Sequence, residues 1–133
     1  MSDYIKEAID AFPEDILTSV NTCASRNLFD LNENDKLVSP DRAETFHSIV
    51  AKLLWVMKRG RPDIELPISF LCTRVKAPSV KDWEKLKRVL QFLYGTLKDN
   101  RIIGFNDLAS LLTYVDASYA VHNNMRSHTG GTM

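Results

Sequence analysis

The sequence predicts an α+β protein, mainly helical, that ends in a short β-hairpin, and three observations carry that expectation. Phe46 to Thr96 reads as three consecutive amphipathic helices separated by two very short breaks. Leu111 to Ala120 is rich in strand-forming residues, with Thr113, Tyr114, Val115 and Tyr119 among them. After a polar connection at His122 to Ser127, the run Thr129, Gly130, Gly131, Thr132, Met133 enters a returning strand.

Each element has a local reason. Tyr4, Ile5, Ala8, Ile9 and Phe12 fall at helical spacing, and Pro13 closes that short helix. Periodicity fades from Glu14 to Asn34, where Ile16, Leu17, Val20, Leu28, Phe29 and Leu31 are isolated anchors; the segment reads as extended chain lying on another surface, followed by a polar linker over 32–39. The first long helix repeats apolar residues at Phe46, Ile49, Val50, Leu53, Leu54 and Met57. Ser39 is placed to cap it, Pro40 suits its first position, and Lys58, Arg59 and Gly60 end it, the glycine being a residue that tolerates a left-handed conformation. In the second helix Ile64, Ile68, Leu71, Cys72 and Val75 share a stripe interrupted by Pro67, which implies a kink or a start nearer Pro67 than Pro62. The third helix opens on Ser79 and Asp82, a capping-box pair with the shorter acid, and buries Trp83, Leu86, Val89, Leu90, Leu93 and Leu97, with Gly95 as its stop. Asp99 with Asn100 and Asn106 with Asp107 are turn signals on either side of a short strand over Arg101 to Phe105.

At 133 residues the chain is one domain's worth of protein. It has no apolar run of the ~20 residues that a membrane span needs and no signal-peptide pattern, so an intracellular protein with no membrane partner is expected. Cys23 and Cys72 read as reduced thiols, Cys72 in the core. His122 and His128, six apart across a polar turn, read as solvated loop histidines rather than zinc ligands, and His47 as a contact flanking the first long helix. Trp55 and Trp83 read as core residues rather than as platforms for bases.

A net charge of zero hides an asymmetry. Residues 1–35 hold eight acids against two bases, a net −6, so 36–133 carry +6; Lys52 to Arg101 alone has twelve cations against five acids. A basic helical core is compatible with contact to a nucleic-acid backbone. Lys81, Lys85 and Arg88, about one turn apart, are the candidate phosphate contacts, to be weighed against a merely solvated helix face.

Several motifs in order carry a family resemblance. Arg61, Pro62, Asp63, Ile64 follow a basic helix; Trp83 to Thr96 ends in Leu93, Tyr94, Gly95, Thr96; then come Tyr114 to Tyr119 and Ser127, His128, Thr129, Gly130, Gly131. Together with Tyr4 to Glu14, they resemble the Pol polyprotein of copia-type LTR retrotransposons, from the reverse transcriptase thumb and connection into the start of ribonuclease H. The resemblance implies a lead-in at 1–38 with one short helix, a thumb- and connection-like region at 39–98, and the beginning of an incomplete ribonuclease H-like domain at 99–133.

Such nucleases clamp two metal ions between carboxylates. The resemblance matches Asp116 to the first of these, and no Asp or Glu follows it in this chain. Mg2+ is therefore a cofactor of the complete family enzyme and is not expected on this chain alone, unless another chain completes the site in trans. Reading Tyr114, Val115, Asp116 as the polymerase magnesium motif fails because Ala117 replaces its second aspartate. The expected function is that of a catalytically inactive polyprotein fragment with RNA or DNA template-primer as partner, besides the missing polymerase palm and ribonuclease H remainder or a protein covering the open sheet edge. The alternative is a stand-alone helical protein-interaction module.

Overall fold

A computed structural model of the chain describes residues 1–102, 104, 107 and 109–132. It divides into two units, Met1–Leu28 with Asn32–Arg101, and Phe29–Leu31 with Ile102–Met133.

The first unit is built of α1 (Ser2–Asp10), α2 (Pro40–Arg59), a single 3-10 turn at Pro62–Ile64, α3 (Glu65–Cys72) and α4 (Val80–Gly95). Its core joins Ile5 and Ala8 of α1, Phe46, Ile49, Val50, Leu53, Val56 and Met57 of α2, Ile68, Phe70 and Leu71 of α3, and Trp83, Leu86, Val89, Leu90 and Leu93 of α4. The stripes expected from the 3.6-residue period are those that face one another. Leu54, Cys72, Val75 and Leu97 lie half-buried, Val75 beyond the end of α3 and Leu97 beyond the end of α4.

The helix ends agree with the sequence in part. Ser79 Oγ accepts from the Asp82 amide at 3.2 Å, while Asp82 Oδ2 accepts from the Ser79 amide at 2.9 Å, closing the capping box. The same Oδ2 accepts from Arg74 Nε at 2.9 Å, so the fully buried Asp82 also ties the α3–α4 connection to the start of α4. Ser39 occupies the N-cap position of α2, but its side chain makes no capping bond. α3 begins at Glu65, so Pro67 sits in the first turn, where no hydrogen bond is lost to it.

Gly60 ends α2 at φ −158°, not in the left-handed region. Its missing Cβ leaves room for Met1, whose Cε lies 3.0 Å from where that atom would stand. Gly95 is the last residue of α4 and matters for a similar reason, because a Cβ there would lie 2.6 Å from Ser19 Cβ. Helix propensity favours alanine over glycine by about 1 kcal/mol, but the clash opposes it. Gly95→Ala is expected to destabilise the unit by roughly 1–3 kcal/mol, and Ser19→Gly should restore most of the loss in chemical denaturation. A Gly95→Ala protein as stable as the wild type would show that residues 13–28 can step aside freely.

Those residues form no helix, yet they are fastened. Ile16 and Leu28 are buried, and residues 14–22 run along α4. The 32–39 segment is more than a linker. Leu37 bridges Ser79 in antiparallel fashion, with Val38 N–H donating to Pro78 O at 3.1 Å and Val80 N–H to Lys36 O at 2.8 Å.

In the second unit β1 (Tyr114–Ser118) and β2 (His128–Thr132) form an antiparallel hairpin with Tyr114 opposite Thr132 and Asp116 opposite Gly130. All five residues of β1 are exposed. Ala120 and Met125, at φ 52° and 61°, turn the chain between the strands, and Met125 N–H donates to His122 O at 2.8 Å. Of the strand expected at Arg101 to Phe105, Arg101, Ile102 and Gly104 are described and lie in no strand, while Ile103 and Phe105 fall outside the described residues. Of the turn pair, Asn106 is outside them, and the Asp107 carboxylate accepts from the Ala109 amide at 2.9 Å and from Ser110 Oγ at 2.8 Å. The whole is α+β, and no helix among the described residues is long and apolar enough to cross a membrane.

Candidate nucleic-acid interface

α4 projects its cations away from the buried stripe, and the structure gives each of them an internal neighbour. Lys81 Nζ lies 3.0 Å from Asp35 Oδ1. That ammonium, with a weaker contribution from the Asn32 amide, holds the Asp35 carboxyl below the usual carboxylate range. Lys85 Nζ sits 4.8 Å from the centre of the Phe70 ring. Arg88 Nη2 donates to Thr22 Oγ1 at 2.8 Å. Lys87 lies 3.7 Å from Glu14, and Gln91 Nε2 donates to Thr18 Oγ1 at 3.0 Å. Lys81, Lys85 and Arg88 therefore do share one helix, but two of them are tied to chain that precedes α2.

The two tryptophans separate. Trp83 is core, as expected: it is 3% exposed, stacks on Phe12 with ring centres 4.7 Å apart, donates from Nε1 to Glu14 Oε2 at 2.9 Å, and has the Arg42 guanidinium 5.1 Å from its centre. Trp55 differs from the expectation, being 47% exposed. Position 55 falls off the Phe46–Ile49–Val50–Leu53–Met57 stripe, about 200° around the helix from Leu53.

Arg61 is the residue whose role periodicity missed. It is 4% exposed, and its guanidinium makes a forked contact to Asp63, with Nε to Oδ1 at 2.9 Å and Nη2 to Oδ2 at 2.7 Å. The other edge donates to Thr96 O at 2.9 Å and Thr96 Oγ1 at 2.7 Å. Arg61 thus locks the end of α4 to the turn between α2 and α3. Its presence in the Arg61–Pro62–Asp63 motif was the available signal.

Asp116 stands in the middle of β1, exposed, with Oδ1 accepting from the Ala117 amide at 2.9 Å. Among the described residues no group of three His, Cys, Asp or Glu is gathered to hold a metal ion, so the residues present do not fit a two-metal site. His122 is half-buried, its ring edge-on to Phe29 at 5.0 Å, and His47 is exposed. Both cysteines are free and half-buried, Cys72 at the core's margin rather than inside it, and burial pushes both thiols up from their ordinary range. A thiolate nucleophile is thereby disfavoured at either position.

The helical unit thus carries a cationic fourth helix, and the hairpin carries one exposed carboxylate at the centre of β1. The chain is 31% identical to a protein ascribed to transposon Ty5-1 in Saccharomyces cerevisiae, over 98% of its own length and 42% of that protein. It is 32% identical over 69% of its length to an uncharacterized mitochondrial protein of Arabidopsis thaliana, covering 38% of it. It is 33% identical over 64% of its length to the retrovirus-related Pol polyprotein from transposon TNT 1-94 of Nicotiana tabacum, covering 6% of that polyprotein. The chain is a homologue of retrotransposon Pol polyproteins. It spans less than half the length of each of these relatives. No family model and no solved structure matches it.

Proposed function

We propose that the chain corresponds to part of a copia-type retrotransposon Pol polyprotein, in which residues 39–98 act as thumb and connection helices against template and primer. Residues 99–133 then correspond to the opening of a ribonuclease H-like domain. The observation that carries this reading is the order of parts: a helical unit with a basic fourth helix, then a hairpin with Asp116 at the centre of its first strand. In a complete enzyme Asp116 would be one of several carboxylates around Mg2+. Alone it has no partners to share a metal with, so this chain is not a nuclease by itself, and RNA–DNA hybrid incubated with it and Mg2+ should stay intact. Cleavage that Asp116→Asn abolishes would overturn that reading.

Nucleic-acid binding is assigned to the backbone-contacting cations Lys81, Lys85 and Arg88. Reversing all three to glutamate should weaken binding to a primer–template duplex and make its dependence on log salt shallower by about 2–3. Because Asp35 holds Lys81, Asp35→Asn should act in the opposite direction and tighten binding severalfold. Fluorescence anisotropy across a salt series measures both, and equal binding by all three proteins would remove α4 from the interface. The internal ties of Lys81 and Arg88 favour one competing reading, a helical module that docks a protein through apolar contacts. That module would bind no nucleic acid, and its partner contact would be little affected by salt.

A further inference from the structure

On α2 the exposed side chains make a pattern that α4 lacks. Trp55 leaves about half its surface in water, and its ring leans against Tyr4, with centres 5.0 Å apart and planes at 55°. One helical turn to each side stand cations: Lys52 at i−3, Lys58 at i+3 and Arg59 at i+4. Lys52 is engaged, 3.8 Å from Glu7 and 5.6 Å from the centre of the Tyr4 ring. Lys58 and Arg59 are exposed and form no ion pair among the described residues. Cations in a last helical turn also suit the helix dipole, but the dipole gives no reason to leave an indole in water between them.

We infer that the Trp55 face of α2 is a stacking platform for an unpaired nucleic-acid base, with Lys58 and Arg59 holding the phosphates beside it. The ligand is a single strand of DNA or RNA. In a duplex the bases stack on one another and offer no free face, whereas an unpaired base can lie on an indole whatever its identity. The cations distinguish this face from an apolar protein-docking patch, because they match a phosphate chain passing over the ring. Tyr4 supports the indole from α1, so the platform is held by two helices rather than by one mobile side chain. This inference rests on the nucleic-acid reading above and adds to the α4 contact a second one on α2, whose terminal cations form no ion pair among the described residues.

The test uses the full chain and a labelled oligothymidylate. With Trp83→Phe as background, Trp55 is the sole indole emitter, and its fluorescence should be quenched as the strand binds. In the otherwise wild-type chain, Trp55→Ala should lower affinity about tenfold with an unchanged salt slope, while Trp55→Phe should retain most of it. Lys58→Gln with Arg59→Gln should instead reduce the slope of log affinity against log salt by about 1.4. Circular dichroism establishes that each variant is folded. Binding with undisturbed Trp55 emission, or equal affinity for Trp55→Ala, overturns the inference. If only the Lys81, Lys85, Arg88 variant loses binding, the nucleic-acid reading stands and this face is wrong. If the wild-type chain binds neither single strand nor duplex, both readings fall.

Discussion

Arg61→Ala is expected to lower the unfolding free energy of the helical unit by about 3 kcal/mol, the scale on which breaking a buried, hydrogen-bonded charge pair destabilises a protein. For a unit of roughly 100 residues that corresponds to a fall in Tm of about 15 °C. The guanidinium is almost wholly buried and donates on both edges, to Asp63 and to the end of α4. Removing it leaves Thr96 O without that donor at the α4 end and leaves Asp63 without its counterion. Asp63 is partly exposed, so water recovers some of its loss, which keeps the expected effect below the upper end of the range. Thr96 Oγ1 keeps its own bond to Phe92 O at 2.8 Å and is therefore not orphaned.

Arg61→Lys decides between charge and shape. Lysine keeps the charge, but one ammonium cannot fork onto Asp63 and also reach both Thr96 oxygens. About half the alanine cost should remain, on the order of 1–2 kcal/mol. The flat guanidinium also lies 5.7 Å from the centre of Phe92, a contact that lysine makes less well. Urea unfolding of the two variants measures the difference. An Arg61→Ala protein within 0.5 kcal/mol of wild type would show that the core alone fixes the end of α4.

What could be read from the sequence follows the range of each interaction. α2 and α4 were legible because their signals are local: a 3.6-residue apolar repeat, Pro40 at the start of one, Ser79 and Asp82 at the start of the other. The beginning of α3 near Pro67 follows from the missing N–H of proline. The path of residues 14–22 was not legible, because Ile16 and Leu28 sit on no repeat and the polar partners are remote. Glu14 meets Trp83 across 69 positions and Thr18 meets Gln91 across 73. The acidity of the first 35 residues was visible as composition, but composition does not say which cation each acid meets. Lys81 and Arg88 share α4, and their internal partners come from the segment before α2. Trp55 was readable in principle, since a helical wheel places it off the stripe. The general tendency of tryptophan to be buried outweighed that position. The hairpin was legible from its β-branched and aromatic residues, whereas the complete exposure of β1 was not, because Tyr114 and Val115 are residues that usually face a core.

Trp83→Ala is expected to be the most damaging single change in the chain, at about 3–5 kcal/mol, the usual range for deleting a buried tryptophan. The indole is where three parts of the helical unit meet: in the segment after α1, Phe12 stacks on it and Glu14 accepts its N–H, Arg42 of α2 lies over it, and α4 carries it. Trp83→Phe retains a ring for Phe12 and Arg42 but leaves the Glu14 carboxylate without its donor. Because Lys87 remains 3.7 Å from Glu14 and water can reach a half-buried carboxylate, that loss should stay near 1–2 kcal/mol. The two variants should also differ in where they loosen. Trp83→Phe should raise amide hydrogen exchange selectively in residues 14–22, which still accept from Gln91 at Thr18 and from Arg88 at Thr22 and keep the Lys87–Glu14 contact. Trp83→Ala should raise exchange through α1 and the first turns of α4 as well. If the phenylalanine variant is as unstable as the alanine variant, the Glu14 bond rather than stacking holds this junction. In that case residues 14–22 and α4 form one cooperative element, and Arg88 could not be freed for a phosphate without unfolding the helix that carries it.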